Sequence, residues 1–189
     1  MHGSMFLHLR TFTEETCGPT AWPHALTTAT LGPRVYLPIT SYPDEELIAI
    51  VTALASTTNQ PVPTFLETFG EHLAPHLLAM YRHLLKPEWR TLDILEHAER
   101  TAHRAVRVEH PGALPPYLEA SRESASIVVI RYSSARRLCF VAKGIVRGLA
   151  HAFGETVVVT ESQCMHRGDA VCLLQVELLE GARLEKRLK

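Results

Sequence analysis

The chain has 189 residues, a formal net charge of −1 and a pI near 6.8, which give no sign of a nucleic-acid-binding surface or a polybasic membrane patch. One domain of this length can bury a large core and a cofactor. No apolar run approaches the roughly 18 residues that span a bilayer, and the first residues lack a signal-peptide pattern. We therefore expect a soluble cytoplasmic protein whose four cysteines are thiols or metal ligands rather than a disulfide framework.

The first half of the sequence predicts four helices. Amphipathic patterns cover 5–15 and 19–28, a third helix opens at Pro43 with acids in its first turn, and a fourth spans 63–85. Proline suits the first turn of a helix, and acidic side chains complement its positive end. Pro75 lies inside the fourth pattern and should kink that helix.

The segment 91–106 has a helical pattern that carries a candidate metal ligand, His103. Its apolar residues recur three or four apart and form a narrow stripe of Leu92, Leu95, Ala98, Ala102 and Val106. His103 borders this stripe, so its imidazole can reach a core cavity and supply the neutral axial ligand of a haem iron. His97, on the same helix, is the alternative ligand.

The chain then crosses into a part with mixed structure. The helix should end near Pro111-Gly112, and Leu114-Pro115-Pro116 should follow as an extended crossover. The later patterns predict a strand, a helix and two further strands, at 126–133, 136–153, 156–162 and 171–179. The predicted fold class is α+β, in which an N-terminal helical subdomain packs on a C-terminal subdomain of a helix and an antiparallel sheet.

Tyr132, Ser134 and Arg136 are candidate anion ligands at the end of the first predicted strand. Strand side chains alternate between faces, so the three point the same way if the extended geometry persists. A phenol, a hydroxyl and a guanidinium then converge, which suits a ligand with two carboxylates such as haem. The alternative is a solvated strand end.

Three glycines in predicted helices also require a reason, because each costs about 1 kcal/mol relative to alanine. They are Gly70, Gly144 and Gly148. Close approach of a flat macrocycle and close packing of two helices explain them equally well.

Together these features resemble the haem–nitric oxide/oxygen binding (H-NOX) family, the sensor domain also found in soluble guanylate cyclase. The resemblance covers nearly the whole chain. Its most specific part is the Tyr-x-Ser-x-Arg triplet at 132–136, which follows a helical histidine and a Pro-Pro crossover. The other matching positions are Met1-His2-Gly3, Cys17-Gly18, Trp22, Tyr42 to Leu47, Phe69-Gly70, Pro111-Gly112-Ala113, and Cys164-Met165-His166 with Cys172.

The resemblance implies one domain over residues 1–182 that encloses haem b, with a helical part at about 1–60, a haem-holding part at about 61–182 and a basic tail at 183–189. His103 would be the iron ligand, and Pro115 and Pro116 would press on the ring.

The resemblance also implies the character of the haem face opposite the ligand. Oxygen-binding members carry a hydrogen-bonding tyrosine on the helix after the triplet, and the matching residue here is Val141. The positions that support this tyrosine correspond to Leu9 and Leu73. An apolar pocket favours nitric oxide, and also admits carbon monoxide, because bound dioxygen needs a hydrogen-bond donor. One such bond of about 1–3 kcal/mol shifts affinity tenfold to a hundredfold.

The implied function is a cytoplasmic nitric oxide sensor rather than an enzyme. Nitric oxide would weaken the bond from iron to His103, and a partner would detect the resulting change of shape. The family implies a sensor histidine kinase or a cyclic-di-GMP enzyme, with no nucleic acid and no membrane as partner. A haem enzyme would need a distal acid–base pair or a thiolate ligand.

Cys139, Cys164 and Cys172 form a second candidate site. Some relatives carry a structural zinc at the matching cysteines, with a histidine where this chain has Glu161. Glu161 can coordinate zinc through oxygen, and His166 is the spare ligand. Redox-active free thiols are the equal alternative. Cys17 stands apart and is expected in ordinary buried packing.

Another function class stays open beside the gas sensor. Related domains that bind small molecules without haem share the closing Cys-x-His-x-Gly-Asp pattern. Such a module has no use for His103 together with the triplet at 132–136.

Overall fold

The computed structural model describes residues 1–109 and 113–179. Its helices are α1 (Gly3–Cys17), α2 (Ala21–Thr28), α3 (Asp44–Thr57), α4 (Val62–Tyr81), α5 (Thr91–His97), α6 (Arg104–Glu109) and α7 (Cys139–Ala152). Its strands are β1 (Tyr117–Arg122), β2 (Ile127–Ser133), β3 (Val157–Gln163) and β4 (Cys172–Leu178). A π-helical segment, Glu99–His103, joins α5 to α6, and short 3₁₀ turns occupy Arg82–Leu84 and Met165–Arg167. The predicted helix end at Pro111-Gly112 and the tail at 183–189 lie outside the described residues.

The four strands form one antiparallel sheet in the order β1-β2-β4-β3. Buried and less buried side chains alternate along β2, as expected for a strand with one face on a core. The sequence did not predict β1, which directly follows the expected crossover at Leu114-Pro115-Pro116. Every second residue of β1 is exposed and none is fully buried, so this edge strand lacks the apolar alternation that marks a strand.

The buried apolar residues form two separate cores. The first lies among α1 to α4 and includes Phe6, Leu47, Ile50 and Phe69. The second lies between the sheet and the helices α5 and α7. The predicted α+β class, with helices in the N-terminal part and a sheet in the C-terminal part, is confirmed. In the described parts of the chain, no helix combines the length and apolar character needed to cross a membrane.

Helices α4 and α7 touch backbone to backbone, and this contact explains the three helical glycines. A Cβ atom on Gly144 would overlap the carbonyl of Glu67, and one on Gly70 would overlap the carbonyl of Val141. A Cβ atom on Gly148 would lie 2.6 Å from the carbonyl oxygen of Glu71. Helix packing alone therefore accounts for these glycines. Helix α4 continues through Pro75 without a break.

Candidate functional site

His103 is the last residue of the π-helical segment between α5 and α6. Its backbone N–H donates to the carbonyl of Ala98 at 3.1 Å, one residue further back than in an α-helix. One extra residue is thus inserted in the helix, which changes the direction of the side chains that follow. Such π-bulges occur often at functional sites. The periodicity of the sequence predicted a helix here but not this insertion.

The imidazole of His103 is largely buried and faces the carboxylate of Glu99. Nδ1 lies 3.0 Å from Glu99 Oε2, and Arg107 lies 2.7 Å from the other oxygen of Glu99. Burial lowers the pKa of His103, opposed by Glu99 and by a hydrogen bond with the backbone of Pro116. The ring is therefore neutral near pH 7, and with Nδ1 turned to Glu99 it can coordinate a metal through Nε2.

Glu99 was not singled out in the sequence. It stands four residues before His103, and that helical spacing is the signal that could have found it. The alternative ligand, His97, has its Nδ1 2.9 Å from the carbonyl oxygen of Asp93, and its ring packs 4.4 Å from the ring of Trp89.

Tyr132 and Ser134 meet at the end of β2. The phenol of Tyr132 is buried, and burial raises its pKa to about 12, so it is a protonated hydrogen-bond donor. The neighbouring Ser134 opposes this rise in the pKa of Tyr132, and the Ser134 hydroxyl accepts from the backbone N–H of Arg136 at 3.3 Å. The strand ends at Ser133, and a turn closed by Arg137 N to Ser134 O follows. The turn, not the expected strand alternation, brings the backbone of Arg136 to the hydroxyl of Ser134, whereas the guanidinium of Arg136 contacts other residues.

Arg136 bridges the two parts of the protein. Its Nε donates to Asp44 Oδ1 at 2.8 Å, at the start of α3, and its Nη1 donates to the carbonyl of Leu114. Burial tends to raise the pKa of Asp44, but the amino group of Met1 and Arg136 outweigh it, so that pKa is lowered. The guanidinium therefore binds a carboxylate of the protein itself, and its expected role toward a ligand carboxylate stays a prediction.

Leu9, Leu73 and Val141 belong to the same apolar core. Leu9 and Leu73 are fully buried and Val141 nearly so, on α1, α4 and α7 respectively. Their side chains bring no hydrogen-bond donor to this core.

The strand β1 brings the separate parts of the site together. Leu118 pairs with Tyr132 across the sheet and donates its N–H to Glu99 Oε2 at 3.1 Å. Leu114, just before Pro115 and Pro116, holds Arg136. A neutral imidazole, a Pro-Pro crossover and three donors for carboxylates thus meet within one region. These groups fit haem b, which needs one axial nitrogen ligand and donors for two propionates.

Cys139, Cys164 and Cys172 cluster with Glu161, and Cys172 pairs with Tyr132 across the sheet. The Sγ atoms of Cys139 and Cys172 each lie 3.9 Å from Sγ of Cys164, and the four ligand atoms lie within 4.8 Å of one another. Sulfur ligands of a tetrahedral zinc, each about 2.3 Å from the metal, are about 3.8 Å apart. The arrangement of the cluster fits a four-coordinate zinc.

Glu161 is the unusual member of this cluster. Its Oε1 is buried and has no hydrogen-bond partner among the residues that the structure describes, whereas Oε2 pairs with Lys143 at 3.7 Å and Arg167 at 3.3 Å. The spare ligand, His166, has its Nε2 2.7 Å from the carbonyl oxygen of Arg137.

Burial raises the pKa of the Cys139 and Cys172 thiols. Cys17 does not follow the expectation of buried packing. It is exposed at the end of α1, where the helix has turned away from the core.

Comparison with known proteins gives consistent results. The model of the haem-NO-binding family matches residues 2–161. An H-NOX protein from S. oneidensis, solved in the Fe(II) ligation state as a triple mutant, is 27% identical; the match covers 97% of this chain and 99% of that chain, with a TM-score of 0.89. The Fe(II)NO form of an H-NOX protein from S. oneidensis is also 27% identical. The match covers 95% of this chain and 100% of that chain, with a TM-score of 0.87.

More distant structures share the fold. An Fe(II) unliganded H-NOX protein from K. algicida is 19% identical and covers 98% of this chain and 100% of its own, with a TM-score of 0.84. A search of curated protein sequences found no significant match. Because the family model spans most of the sequence, the chain belongs to the haem-NO-binding family.

Proposed function

We propose that this chain is a gas sensor that binds nitric oxide at a ferrous haem b held by His103. The observation that carries this proposal is the neutral, carboxylate-supported imidazole of His103 beside the donors Tyr132, Ser134 and Arg136. Similarity to a protein solved in the Fe(II)NO state supports nitric oxide as ligand. Carbon monoxide is a second ligand, since a similar H-NOX domain from Shewanella oneidensis was solved in the Fe(II)CO state at 27% identity.

Each residue of the site has a distinct role in this proposal. His103 holds the iron, Arg136 with Tyr132 and Ser134 holds the propionates, and Pro115 and Pro116 lie against the ring. When bound, haem supplies an iron with one open position for a diatomic gas. Arg136 would then donate both to Asp44 and to a propionate of the haem. Because Asp44 is the first residue of α3, haem binding would be coupled to the position of that helix.

The opposite haem face explains the choice of gas. Leu9, Leu73 and Val141 are buried apolar residues that offer no hydrogen bond to a bound ligand. Dioxygen bound to iron carries negative charge on its outer atom and requires such a bond, whereas nitric oxide does not. We therefore propose that the chain binds nitric oxide and carbon monoxide and forms no stable dioxygen complex.

The signal leaves the site through two contacts. Release of His103 would move Glu99 and the paired strand β1, and a shift of Arg136 would move Asp44 and α3. We propose that a sensor histidine kinase or a cyclic-di-GMP enzyme in the cytoplasm detects these movements, and that the chain itself is a sensor, not an enzyme.

A structural zinc in the cysteine cluster is a separate part of the proposal. Cys139, Cys164 and Cys172 would bind as thiolates and Glu161 as the fourth ligand, through its unpartnered Oε1. Redox-active thiols are the alternative, and zinc content measured on protein purified without chelator decides between the two.

An absorption spectrum of the anaerobically reduced protein tests the main proposal. Reduced protein should show a haem band that shifts when nitric oxide is added. The variant His103→Gly should lose the band and regain it with free imidazole, whereas the matched control His97→Gly should keep it. Protein that stays colourless with ample hemin would leave the haem-free small-molecule module as the function.

A further inference from the structure

Three histidines meet where α1 packs against α4, away from both sites described above. His8 lies on α1, and His72 and His76 lie four residues apart on one face of α4. The ring centres of His8 and His76 are 5.3 Å apart, and those of His72 and His76 are 5.1 Å apart. No part of the proposed gas-sensing function uses these imidazoles.

The spacing of two of the three ring pairs is close to that of histidines around a tetrahedral metal ion, although the three sets of ring nitrogens do not lie within 4.8 Å of one another until a ring turns. With a metal–nitrogen bond of about 2.0–2.1 Å, each ring centre lies about 3.2 Å from the metal, and two rings are about 5 Å apart. The planes of the rings are tilted by 38° and 50°, so neither pair is a parallel stack. His76 is exposed, so its ring can turn to bring a nitrogen to the shared point.

His72 supplies the second, independent observation. Its Nε2 is buried and has no hydrogen-bond partner within the described ranges 1–109 and 113–179. A buried ring nitrogen without a partner is costly unless something occupies it. Its other nitrogen, Nδ1, lies 3.8 Å from the carboxylate of Glu15. This distance is longer than a hydrogen bond, so a small movement of either side chain is needed before Glu15 can orient the imidazole as carboxylates do at metal sites.

The charge state of the histidines also suits a metal. Burial lowers the pKa of His8, and the neighbouring His76 and His72 lower it further. Burial lowers the pKa of His72 as well, with Glu15 opposing and His76 adding to the shift. Metal ions bind neutral imidazole, so little proton competition is expected near neutral pH.

We propose that His8, His72 and His76 form a binding site for a divalent transition-metal ion that ties α1 to α4. The ion is of the class that prefers imidazole, such as Zn²⁺, Co²⁺ or Ni²⁺. The site is independent of the haem and of the cysteine cluster. Its neighbours in the sequence are Leu9 and Leu73, so an ion there would fix the distance between two walls of the proposed gas pocket.

Titration with Co²⁺, followed by absorption and by equilibrium dialysis, tests this site. Wild-type protein should bind one more equivalent of Co²⁺ than His76→Ala or His8→Ala. The added absorption should lack the intense thiolate-to-cobalt bands that the cysteine cluster would give. His24→Ala, which removes an exposed histidine from α2, is the matched control and should bind as the wild type does.

The choice of variants keeps the test decisive. His76 is exposed, so its removal cannot unfold the core, and circular dichroism checks this. Glu15→Gln should weaken Co²⁺ binding about tenfold while keeping the stoichiometry. Equal Co²⁺ stoichiometry in wild type, His8→Ala and His76→Ala would overturn the proposal. Because the measurement needs no haem, its result is separate from the outcome of the gas-sensing test.

Discussion

The carboxylate of Glu99 links the imidazole of His103 to the backbone of Leu118, so the candidate axial ligand is attached to the first strand of the sheet. Glu99 Oε2 lies 3.0 Å from His103 Nδ1 and 3.1 Å from Leu118 N. A carboxylate in this position makes the imidazole a stronger electron donor to a metal. In the proposed haem site, one side chain would thus set the strength of the axial bond and pass its movement to the sheet.

Substitution of this carboxylate should weaken the axial bond. We expect Glu99→Gln to lower the iron–histidine stretching frequency in the resonance Raman spectrum of the ferrous protein. Haem affinity should fall about tenfold. Glu96→Gln is the control, because Glu96 pairs with Arg122 and not with His103. An unchanged frequency in Glu99→Gln would show that the contact has no effect on the metal.

A hydroxyl placed at residue 141 should change the gas selectivity. In Val141→Tyr the phenol can donate to bound dioxygen, a gain of about 1–3 kcal/mol. We expect a stable oxy spectrum after exposure to air in this variant and none in wild type. Val141→Phe has nearly the same size without the hydroxyl, so an oxy form in that variant would mean that packing, not hydrogen bonding, controls selectivity.

The glycine contact between α4 and α7 predicts that Gly144→Ala lowers the free energy of unfolding, whereas helix propensity alone predicts an increase. Helix propensity alone would make Gly144→Ala more stable by about 1 kcal/mol. The overlap with the carbonyl of Glu67 should instead destabilise the protein by about 3 kcal/mol. Urea denaturation measures the free energy of unfolding, and a stabilised variant would disprove the close packing.

Glu67 should make stability depend on pH. Burial tends to raise the pKa of Glu67, but Arg147 and Lys143 outweigh it, so the folded-state pKa is lowered. Its stabilising contribution is therefore present at neutral pH and is lost as the pH falls below about 4, through the folded-state pKa. We expect Glu67→Gln to lower the free energy of unfolding by about 1–3 kcal/mol at pH 7. Urea denaturation of both proteins at a series of pH values from 7 downwards measures this, and a difference that does not shrink as the pH falls would contradict the assignment.

Zinc content should depend on the carboxylate in the cysteine cluster. Elemental analysis should find about one zinc per chain in wild type, and removing a ligand in Glu161→Ala should weaken zinc binding by about a hundredfold or more. Glu177→Ala is the control, because Glu177 is exposed on β4 and is not in the cluster. Wild type without zinc, whose thiols react with oxidants, would favour the redox alternative.

The sequence predicted the fold and most helices and strands because their apolar periodicity is strong. It missed β1, whose lack of buried residues hides its pairing with β2. It also missed the π-helical insertion before His103, since that insertion is a change of hydrogen-bond register that leaves the apolar pattern nearly intact. The local pattern of apolar residues does not show which strands pair or where the hydrogen-bond register of a helix changes.

Parts of the candidate sites also depend on contacts that are distant in sequence. The partners Asp44 and Arg136 are separated by 92 positions, and nothing in either segment indicates the other. The cluster of His8 with His72 and His76 is hidden in the same way among eleven histidines. The cysteine cluster could be predicted, because its members lie in adjoining strands and a helix end.

Helices α4 and α7 cannot slide or rotate past each other, since their backbones are in contact at Gly70 and Gly144. This backbone contact therefore sets the separation of Leu73 on one helix and Val141 on the other in this structure. We expect a response to a gas to leave this pair of helices intact as a rigid unit. In the proposed site, the segment around His103, which Glu99 links to β1, is then the part that a bound gas would displace.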